Sequence, residues 1–466
     1  MSTFVGRKEE IELINGLLHQ SGSKLITING RRRIGKSTLA EKIAEGYDFF
    51  SFSGLAPVDA ATAEAQINHF LSKLSKKTGI SYEKCMDWSY ALDKLSDAIP
   101  KDEKCVILFD EISWMGQGDG NFVGKLKVWW DLDISKRNVL LIFCGSVSTW
   151  IEKNIINSTA FYGRISAFIN LQQLSIPESA EFLRKRGFKG SAFEFYEILS
   201  VVGGVPWYLE QINPSLTSEK NIENLCFKRG GLLRREFATI FNDVFSVHGD
   251  IYNRILEALC DGMRTLSEIR EAIEYAHSGR LSDLMENLIV CGFVSKHQQW
   301  SLKTKKLGKQ SVYRICDPYI RFYLKYIMSI GDFKKLPESF DSIIGLQMES
   351  LLIQNRESIL KLLEVENPLI DNPYIQRATR SKRGCQIDYL IQTRTNNLYA
   401  CEFKFRIGNL GSEIIKEMQE KLTRLTIPKG MAIVPVLFHI GGVKESVYFS
   451  KFFYRIIDLA DLLEEK

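Results

Sequence analysis

The segment that most constrains this chain is Gly30–Ser37, which reads GRRRIGKS. It fits the pattern GxxxxGK[ST] at every fixed position, and it stands between a short β-type run, Lys24–Asn29, and a helical pattern, TLAEKIAEGY. Glycines in such a loop let backbone N–H groups turn inward around phosphates, and the helix that follows contributes the positive end of its dipole. The order of strand, loop and helix therefore predicts a nucleotide-binding α/β domain with a parallel sheet.

The side chains of this loop indicate how it would hold ATP and Mg²⁺. A lysine at the position of Lys36 reaches the β- and γ-phosphates, and the Ser37 hydroxyl is suited to ligate Mg²⁺. The three arginines are expected to contribute positive potential. We therefore predict that ATP contacts a run of consecutive residues: Gly30, Arg31, Arg32, Arg33, Ile34, Gly35, Lys36, Ser37 and Thr38.

Two later apolar runs, Val106–Phe109 and Val139–Cys144, predict further buried strands of the same sheet. The first is followed by Asp110, which we expect to hold Mg²⁺, and by Glu111, which would polarise the attacking water. The second leads to Ser146, a candidate sensor of the γ-phosphate. Serine is also a frequent helix N-cap, so Ser146 has a purely structural interpretation as well.

Arg164, in the segment YGRIS, is a further candidate for catalysis. An arginine near this place could stabilise transition-state charge on a phosphate of its own subunit or of a neighbour. The second arrangement would require a homo-oligomer. The alternative is an ordinary exposed arginine.

Composition limits the protein class. A chain of 466 residues with a net charge of +5 predicts about two to four domains and permits a polyanionic partner without requiring one. The nine cysteines form no CxxC pair, which favours buried thiols in a reducing compartment over disulfides or zinc. The charged N-terminus and the lack of an apolar run of about 18 residues predict a cytoplasmic protein without a membrane partner.

The periodicity along the chain predicts four parts. Residues 1–174 form the P-loop ATPase domain, 175–245 a helical lid, 246–330 a winged helix-turn-helix, and 340–466 a C-terminal α/β domain, with a linker at Lys334–Ser342. In the third part, three helical patterns precede two strand-like segments. Its candidate recognition helix offers Arg280 but also Asp283 and Glu286, which would face a polyanion unfavourably. DNA contact and docking against another part of the protein therefore both stay open, although the predicted wing is basic: Lys296, Lys303, Lys305, Lys306 and Lys309.

The C-terminal part contains a second constellation that carries chemistry. Two strand-like segments around a Thr-Asn-Asn turn carry Asp388 on one strand and Glu402 and Lys404 on the other. Side chains two residues apart on a strand share a face, so Glu402 and Lys404 project together. Two carboxylates beside a lysine could bind a divalent metal and position water for attack on a phosphodiester. An exposed hairpin with ordinary surface ion pairs is the alternative.

The motifs together resemble the predominantly archaeal P-loop ATPase family of the AAA+/STAND assemblage. They are FVGRKEEI, GRRRIGKS, ILFDEI, CGS, YGRIS, GGVPWYL and ICDPYIRFYLKY. The resemblance implies ATP binding, with Phe4–Arg7 near the adenine. It also implies that Gly204 and Pro206 form the element where the lid or winged helix contacts the nucleotide domain.

The C-terminal constellation resembles the PD-(D/E)xK nuclease superfamily, although Ile387 rather than proline precedes Asp388. The resemblance implies a restriction-endonuclease-like fold in which a first helix supplies Glu349 and a later helix supplies a polar residue, for which Gln419 is the candidate. Basic residues surround the two predicted metal ligands, as suits a nucleic-acid backbone. They are Arg377, Arg380, Lys382, Arg383, Arg394, Lys404 and Arg406.

The leading hypothesis is therefore an ATP-hydrolysing protein that acts on DNA, with a C-terminal metal-dependent nuclease domain. One alternative is a nucleotide-switched regulator whose C-terminal domain only binds. Another is a chaperone-like ATPase that uses its extra domains as adaptors for protein partners.

Overall fold

The computed structural model describes residues 4–56, 62–101, 103–146, 149–245, 249–276, 278–328, 340–378 and 383–464. The chain forms two compact units. The first is Gly6–Gln172, and the second is Gln173–Lys466 together with residues 4 and 5.

The first unit is built on a five-stranded parallel sheet, as the phosphate loop predicts. Its order is β2–β3–β4–β1–β5, so that β1, which leads into the loop, lies between two neighbours. The two apolar runs form β3 and β4. The strands are β1 (Lys24–Gly30), β2 (Asp48–Ser53), β3 (Cys105–Asp110), β4 (Val139–Ser146) and β5 (Ile165–Asn170).

Helices pack around this sheet and bury its apolar residues. On one side, Phe52, Phe109 and Phe143 join Phe70 and Trp88 in an aromatic core. Rings with centroids 4–6 Å apart contribute packing beyond their buried area. The helices are α1 (Lys8–Leu18), α2 (Lys36–Ile43), α3 (Ala63–Thr78), α4 (Trp88–Ala98), α5 (Ile112–Met115), α6 (Phe122–Leu132) and α7 (Thr149–Ile151).

The second unit begins with helices. Ser175 and Ser191 each form a capping box with the glutamate three residues later, which satisfies the first N–H groups of α8 and α9. The helices are α8 (Ile176–Lys185), α9 (Ala192–Val202), α10 (Pro206–Glu210), α11 (Ser218–Ile222) and α12 (Leu232–Phe245).

Residues 249–328 contain helices followed by a hairpin. A three-stranded antiparallel sheet of order β6–β8–β7 joins them. The elements are α13 (Gly249–Leu259), β6 (Arg264–Thr265), α14 (Leu266–Ala272), α15 (Ser278–Val290), β7 (Val294–Ser301), β8 (Lys306–Ile315) and α16 (Pro318–Phe322).

A mixed five-stranded sheet, β13–β12–β11–β10–β9, forms the last part. The strands β9, β10 and β11 are antiparallel, whereas β11, β12 and β13 are parallel. Residues 334–339 of the predicted linker lie outside the described residues. The elements are α17 (Phe340–Gln354), α18 (Arg356–Leu363), β9 (Ile370–Gln376), β10 (Cys385–Gln392), β11 (Asn397–Phe405), α19 (Glu413–Arg424), β12 (Ala432–Ile440), α20 (Glu445–Phe449) and β13 (Arg455–Asp458).

The β7–β8 hairpin packs on this last sheet. Trp300 lies in the same apolar core as Leu390 and Leu398, and its indole N–H donates to Gln392 Oε1 at 2.8 Å. Helix α9 contacts the same part of the chain, because Phe193 stacks on Phe405 with ring centroids 4.5 Å apart. The hairpin, α9 and the C-terminal sheet therefore share packed interfaces within the second unit.

Across the described ranges, none of the helices combines the length and apolar character that crossing a membrane requires.

Candidate functional site

The phosphate loop connects β1 to α2 through two residues with left-handed backbone. Arg33 has φ 70° and Gly35, directly before α2, has φ 94°. Such turns aim successive N–H groups into the loop, which suits an anion. The Lys36 ammonium donates to the carbonyls of Gly30 and Arg31 at 2.9 and 3.1 Å. Lys36 is 6% exposed, so its charge lies inside the loop.

The acidic residues at the end of β3, Asp110 and Glu111, lie beside the loop because β3 is separated from β1 only by β4. The Ser37 hydroxyl donates to Asp110 Oδ2 at 2.7 Å, and the backbone N–H of Glu111 donates to Asp110 Oδ1 at 3.1 Å. Glu111 itself has the left-handed conformation, with φ 50°. A hydroxyl next to a carboxylate is the kind of oxygen donor set that Mg²⁺ prefers.

Ser146 and Arg164 occupy different surroundings. The backbone of Ser146 pairs with Gly30 at the end of β4, next to the loop, while its side chain lies outside what the structure describes. Arg164 makes a bidentate ion pair with Asp131, at 2.7 Å from Nε and 2.9 Å from Nη2. The hydrogen bond from Arg164 lowers the pKa of Asp131 to about 2. The guanidinium of Arg164 is thus held by α6.

Two further residues support this site, and the sequence analysis did not assign them these roles. Arg7 is buried and donates from Nη2 to the carbonyl of Ile34 at 3.2 Å, so it braces the loop. Gly54 follows β2, and a β-carbon there would lie 2.8 Å from the carbonyl oxygen of Glu111. The only sequence signal for Arg7 was its place in the FVGRKEEI motif. Gly54 had no sequence signal, because the close approach of its backbone to Glu111 depends on the pairing of β2 with β3.

A separate cavity of about 240 Å³ lies in the second unit. Three elements bring the predicted C-terminal residues to it: α17 carries Glu349, β10 carries Asp388, and β11 carries Glu402 and Lys404. Tyr389 pairs with Cys401, which places Asp388 beside Glu402 on the neighbouring strand. Asp388 Oδ2 also accepts from the backbone N–H of Phe403 at 3.0 Å.

Ion pairs connect the charged groups of this cavity. Lys404 Nζ lies 3.1 Å from Glu402 Oε1 and 2.9 Å from Glu417 Oε2. Lys421, on α19, lies 2.6 Å from Glu402 Oε2 and 3.7 Å from Asp388 Oδ1. Two ammonium groups therefore approach a carboxylate pair.

Burial shapes the protonation of these groups. Burial and the neighbouring Glu402 carboxylate raise the pKa of Asp388 to about 7. Burial tends to lower the pKa of Lys404 and of Lys421, but the adjacent carboxylates outweigh it, so both values are raised. The two lysines are accordingly held as cations.

The later helix does not place Gln419 in the cavity. Gln419 is exposed on α19 and is not among the lining residues, whereas Lys421 is. Glu349 lines the cavity and also forms an ion pair with a residue of β8, because Arg314 Nη1 lies 3.5 Å from Glu349 Oε1. Within the described ranges no group of three or more His, Cys, Asp or Glu side chains has metal-binding geometry, so the acidic centre is the Asp388–Glu402 pair.

The parallel sheet, the glycine loop and the adjacent acid define the first unit as a P-loop NTPase domain. Residues 4–212 match the model of a family described as an ATPase domain predominantly from Archaea. This part of the chain is therefore similar to the ATPase domains of that family.

Known proteins are similar over longer stretches. An uncharacterised protein of Methanocaldococcus jannaschii is 26% identical over 453 residues, which cover 95% of this chain and 96% of that protein. A Walker-type ATPase of Pyrococcus abyssi overlaps 69% of this chain and 96% of its own at 20% identity, with a TM-score of 0.48. The ORC2 protein of Aeropyrum pernix, solved as ADPNP–ADP complexes, overlaps 75% and 95% at 14% identity, with a TM-score of 0.43.

Proposed function

We propose that this protein couples its ATPase domain to DNA and that its C-terminal cavity is a metal-dependent nuclease site. The observation that carries the proposal is the meeting of Glu349, Asp388, Glu402 and Lys404 in one cavity. They come from a helix and two strands, in the order that the PD-(D/E)xK resemblance implies. The fold of residues 340–464 supports this, since the sheet combines an antiparallel hairpin with parallel strands across α19.

Asp388 and Glu402 would hold the metal. A cation already lies between their oxygens, because the Lys421 ammonium contacts both carboxylates, and hard oxygen donors suit Mg²⁺ or Mn²⁺. A bound divalent metal would supply a Lewis acid and a water of lowered pKa. Lys404, beside Glu402, would orient a phosphate oxygen and oppose the charge that develops during attack.

Exposed basic side chains support a nucleic-acid partner. Around the hairpin these are Arg377, Arg383, Arg394 and Arg406, while Arg380 and Lys382 lie outside the described residues. On β7, β8 and the turn between them, the exposed lysines are Lys296, Lys303, Lys306 and Lys309. The helices and the hairpin within residues 249–315 support our proposal that this segment is a winged helix that docks on DNA.

In the ATPase domain, we assign Lys36 to the β- and γ-phosphates, Ser37 and Asp110 to Mg²⁺, and Glu111 to the attacking water. The strained backbone of Glu111 supports its role, because such conformations persist mainly where the surrounding structure holds a functional group. Arg164 is paired with Asp131, so it would have to break that ion pair before it could reach a phosphate. The proposed role of Arg164 in stabilising transition-state charge therefore requires a rearrangement of its side chain.

One assay tests the nuclease proposal. Purified full-length protein is incubated with plasmid and with single-stranded DNA in Mg²⁺ or Mn²⁺, with and without ATP. We expect cleavage that Asp388→Asn and Lys404→Ala abolish and that Lys416→Ala, an exposed lysine on α19, leaves unchanged. Absence of both cleavage and a mobility shift at low salt would refute the DNA function.

A second candidate function is a nucleotide-switched regulator. The packing of Trp300 against the C-terminal sheet favours it, because part of the β7–β8 hairpin is already used as an internal interface. In that case the protein would shift DNA or bind a protein partner without cutting. The same assay distinguishes the two, since binding without metal-dependent cleavage supports the regulator.

A further inference from the structure

We propose that Lys421 is a resident cation that occupies the metal position of the C-terminal cavity, so that a divalent metal binds there only by displacing it. The inference rests on the proposed function, because it assumes that Asp388 and Glu402 are metal ligands. It adds a role for a residue that no sequence motif singled out.

The contacts of Lys421 are the first observation. Its ammonium lies 2.6 Å from Glu402 Oε2 and 3.7 Å from Asp388 Oδ1, so one cation contacts both carboxylates. Glu402 is 1% exposed. A buried carboxylate without a cation is costly, so a partner for Glu402 is required whenever no metal is bound. Lys421 meets that requirement from α19, the helix that packs on β10.

Lys404 is a different kind of partner. Its ammonium is divided between Glu402, at 3.1 Å, and Glu417, at 2.9 Å, and it contacts Glu402 through Oε1 rather than Oε2. Lys404 can therefore stay paired with Glu417 when a metal arrives. Lys421 contacts Asp388 and Glu402 alone among the described carboxylates.

The charges in the cavity imply that Lys421 and a divalent metal compete for the same position beside Asp388 and Glu402. Two carboxylates face two ammonium groups, and Glu349 is drawn towards Arg314 at 3.5 Å. A divalent ion that entered beside Lys421 would meet like charge at close range. Displacement of Lys421 removes that repulsion and frees its ammonium for an anion in the same cavity, such as a phosphodiester.

Manganese binding to the full-length, nucleotide-free protein tests the inference. Free Mn²⁺ is followed by electron paramagnetic resonance in wild type, Lys421→Met and Lys416→Met, the last being an exposed lysine on the same helix. We expect Lys421→Met to bind one Mn²⁺ about tenfold more tightly than wild type, equivalent to about 1.4 kcal/mol. Lys416→Met should match wild type. Adding Asp388→Asn to Lys421→Met should abolish the tight site.

The outcomes separate this inference from the proposed function. If Lys421→Met and wild type bind Mn²⁺ equally through Asp388, the competition is refuted and the metal site stands. If Asp388→Asn changes nothing in either background, the carboxylate pair is not a metal site and the proposed function fails with it.

Lys421→Gln is a second variant that keeps the inference testable if Lys421→Met misfolds. The glutamine amide can still donate a hydrogen bond to Glu402, but it carries no charge. We expect Mn²⁺ to raise the Tm of Lys421→Gln more than that of wild type. An equal rise in the two proteins would contradict the inference.

Discussion

At the scale of single residues, Lys36 gives the most direct test of the ATPase domain. Its ammonium is held inside the loop by two carbonyls, where a phosphate chain would meet it. Lys36→Ala should lower kcat for ATP hydrolysis by about 100-fold or more, because a preorganised positive charge is lost. Phosphate release at saturating ATP measures this. Lys42→Ala, on the same helix but exposed and paired with Glu45, should keep wild-type turnover. Normal hydrolysis by Lys36→Ala would contradict the assignment.

His297 is predicted to make the second unit sensitive to acid. It is buried, with its ring nitrogens hydrogen-bonded to Ser295 and Asn372. The pKa of His297 is lowered to about 4, chiefly by burial. The hydrogen bond to Asn372 acts in the opposite direction, and the charges of Arg314 and Arg356 act in the same direction as burial. The unfolded chain therefore takes up a proton first as the pH falls below about 6.5. The free energy of unfolding should decrease by about 1–3 kcal/mol between pH 6.5 and pH 4 and change little from this group below that.

Urea unfolding as a function of pH measures this effect. His297→Gln removes the titrating ring and should flatten the profile between pH 6.5 and 4. His19→Gln, an exposed histidine after α1, is the matched control and should leave the slope unchanged. An identical pH slope in wild type and His297→Gln would show that His297 does not control acid stability.

At the scale of elements, the approach of β2 to the acidic segment leads to a prediction about Gly54. A β-carbon at Gly54 would meet the Glu111 carbonyl, the Trp114 Cβ and the Met115 N–H nitrogen, all within 2.9 Å. Gly54→Ala should destabilise the first unit by about 1–3 kcal/mol and weaken MgATP binding, because the segment that carries Glu111 must shift. Denaturant unfolding and nucleotide titration report the two effects.

Gly124→Ala is the control for that experiment. Gly124 lies in helix α6, and a methyl group at this position would have nothing within 4 Å, so alanine should stabilise the helix by up to about 1 kcal/mol. Equal stability of Gly54→Ala and Gly124→Ala would mean that the close packing of β2 on Glu111 has no energetic consequence.

Elements with strong local signals could be predicted, and those defined by their neighbours could not. The apolar runs of β3 and β4 gave clear predictions because both faces of a parallel sheet are buried. Strand β2, DFFSFS, and strand β9, IDNPYIQ, lack such a run, and pairing with β3 and β10 defines them. Lys421 was missed for a similar reason. It lies two residues from Gln419, about 200° around the helix, so only the docking of α19 shows which of them faces the cavity.

At the scale of the whole molecule, the hairpin that joins two predicted domains is the feature to test. Trp300 is 4% exposed, lies in the core of the C-terminal sheet and donates to Gln392. Trp300→Ala should lower the free energy of unfolding of the second unit by about 3–5 kcal/mol, because a large buried side chain is lost. Leu307→Ala, in the same hairpin but 54% exposed, should change it by less than about 0.5 kcal/mol. Similar losses in both variants would argue against a shared core.

The described chain divides into two units, whereas the periodicity of the sequence predicts four parts. The boundary between the two units lies at Gln172 and Gln173. Residues 175–245, 246–330 and 340–466, which the sequence predicts as three separate parts, fall within one unit, and no local pattern indicated this. Single contacts such as Phe193 with Phe405 hold it together, and these join residues more than 200 positions apart in the chain.

The shared core of the β7–β8 hairpin and the C-terminal sheet also bears on how such a protein could change by recombination. An exchange that replaced only residues 340–466 would leave Trp300 and Leu302 facing an unrelated surface. It would also remove Asn372, the partner of His297, and Gln392, the partner of Trp300. A viable exchange would have to carry the hairpin together with the sheet. The segment that must be exchanged as one piece is therefore longer than the predicted nuclease-like domain and begins before residue 294.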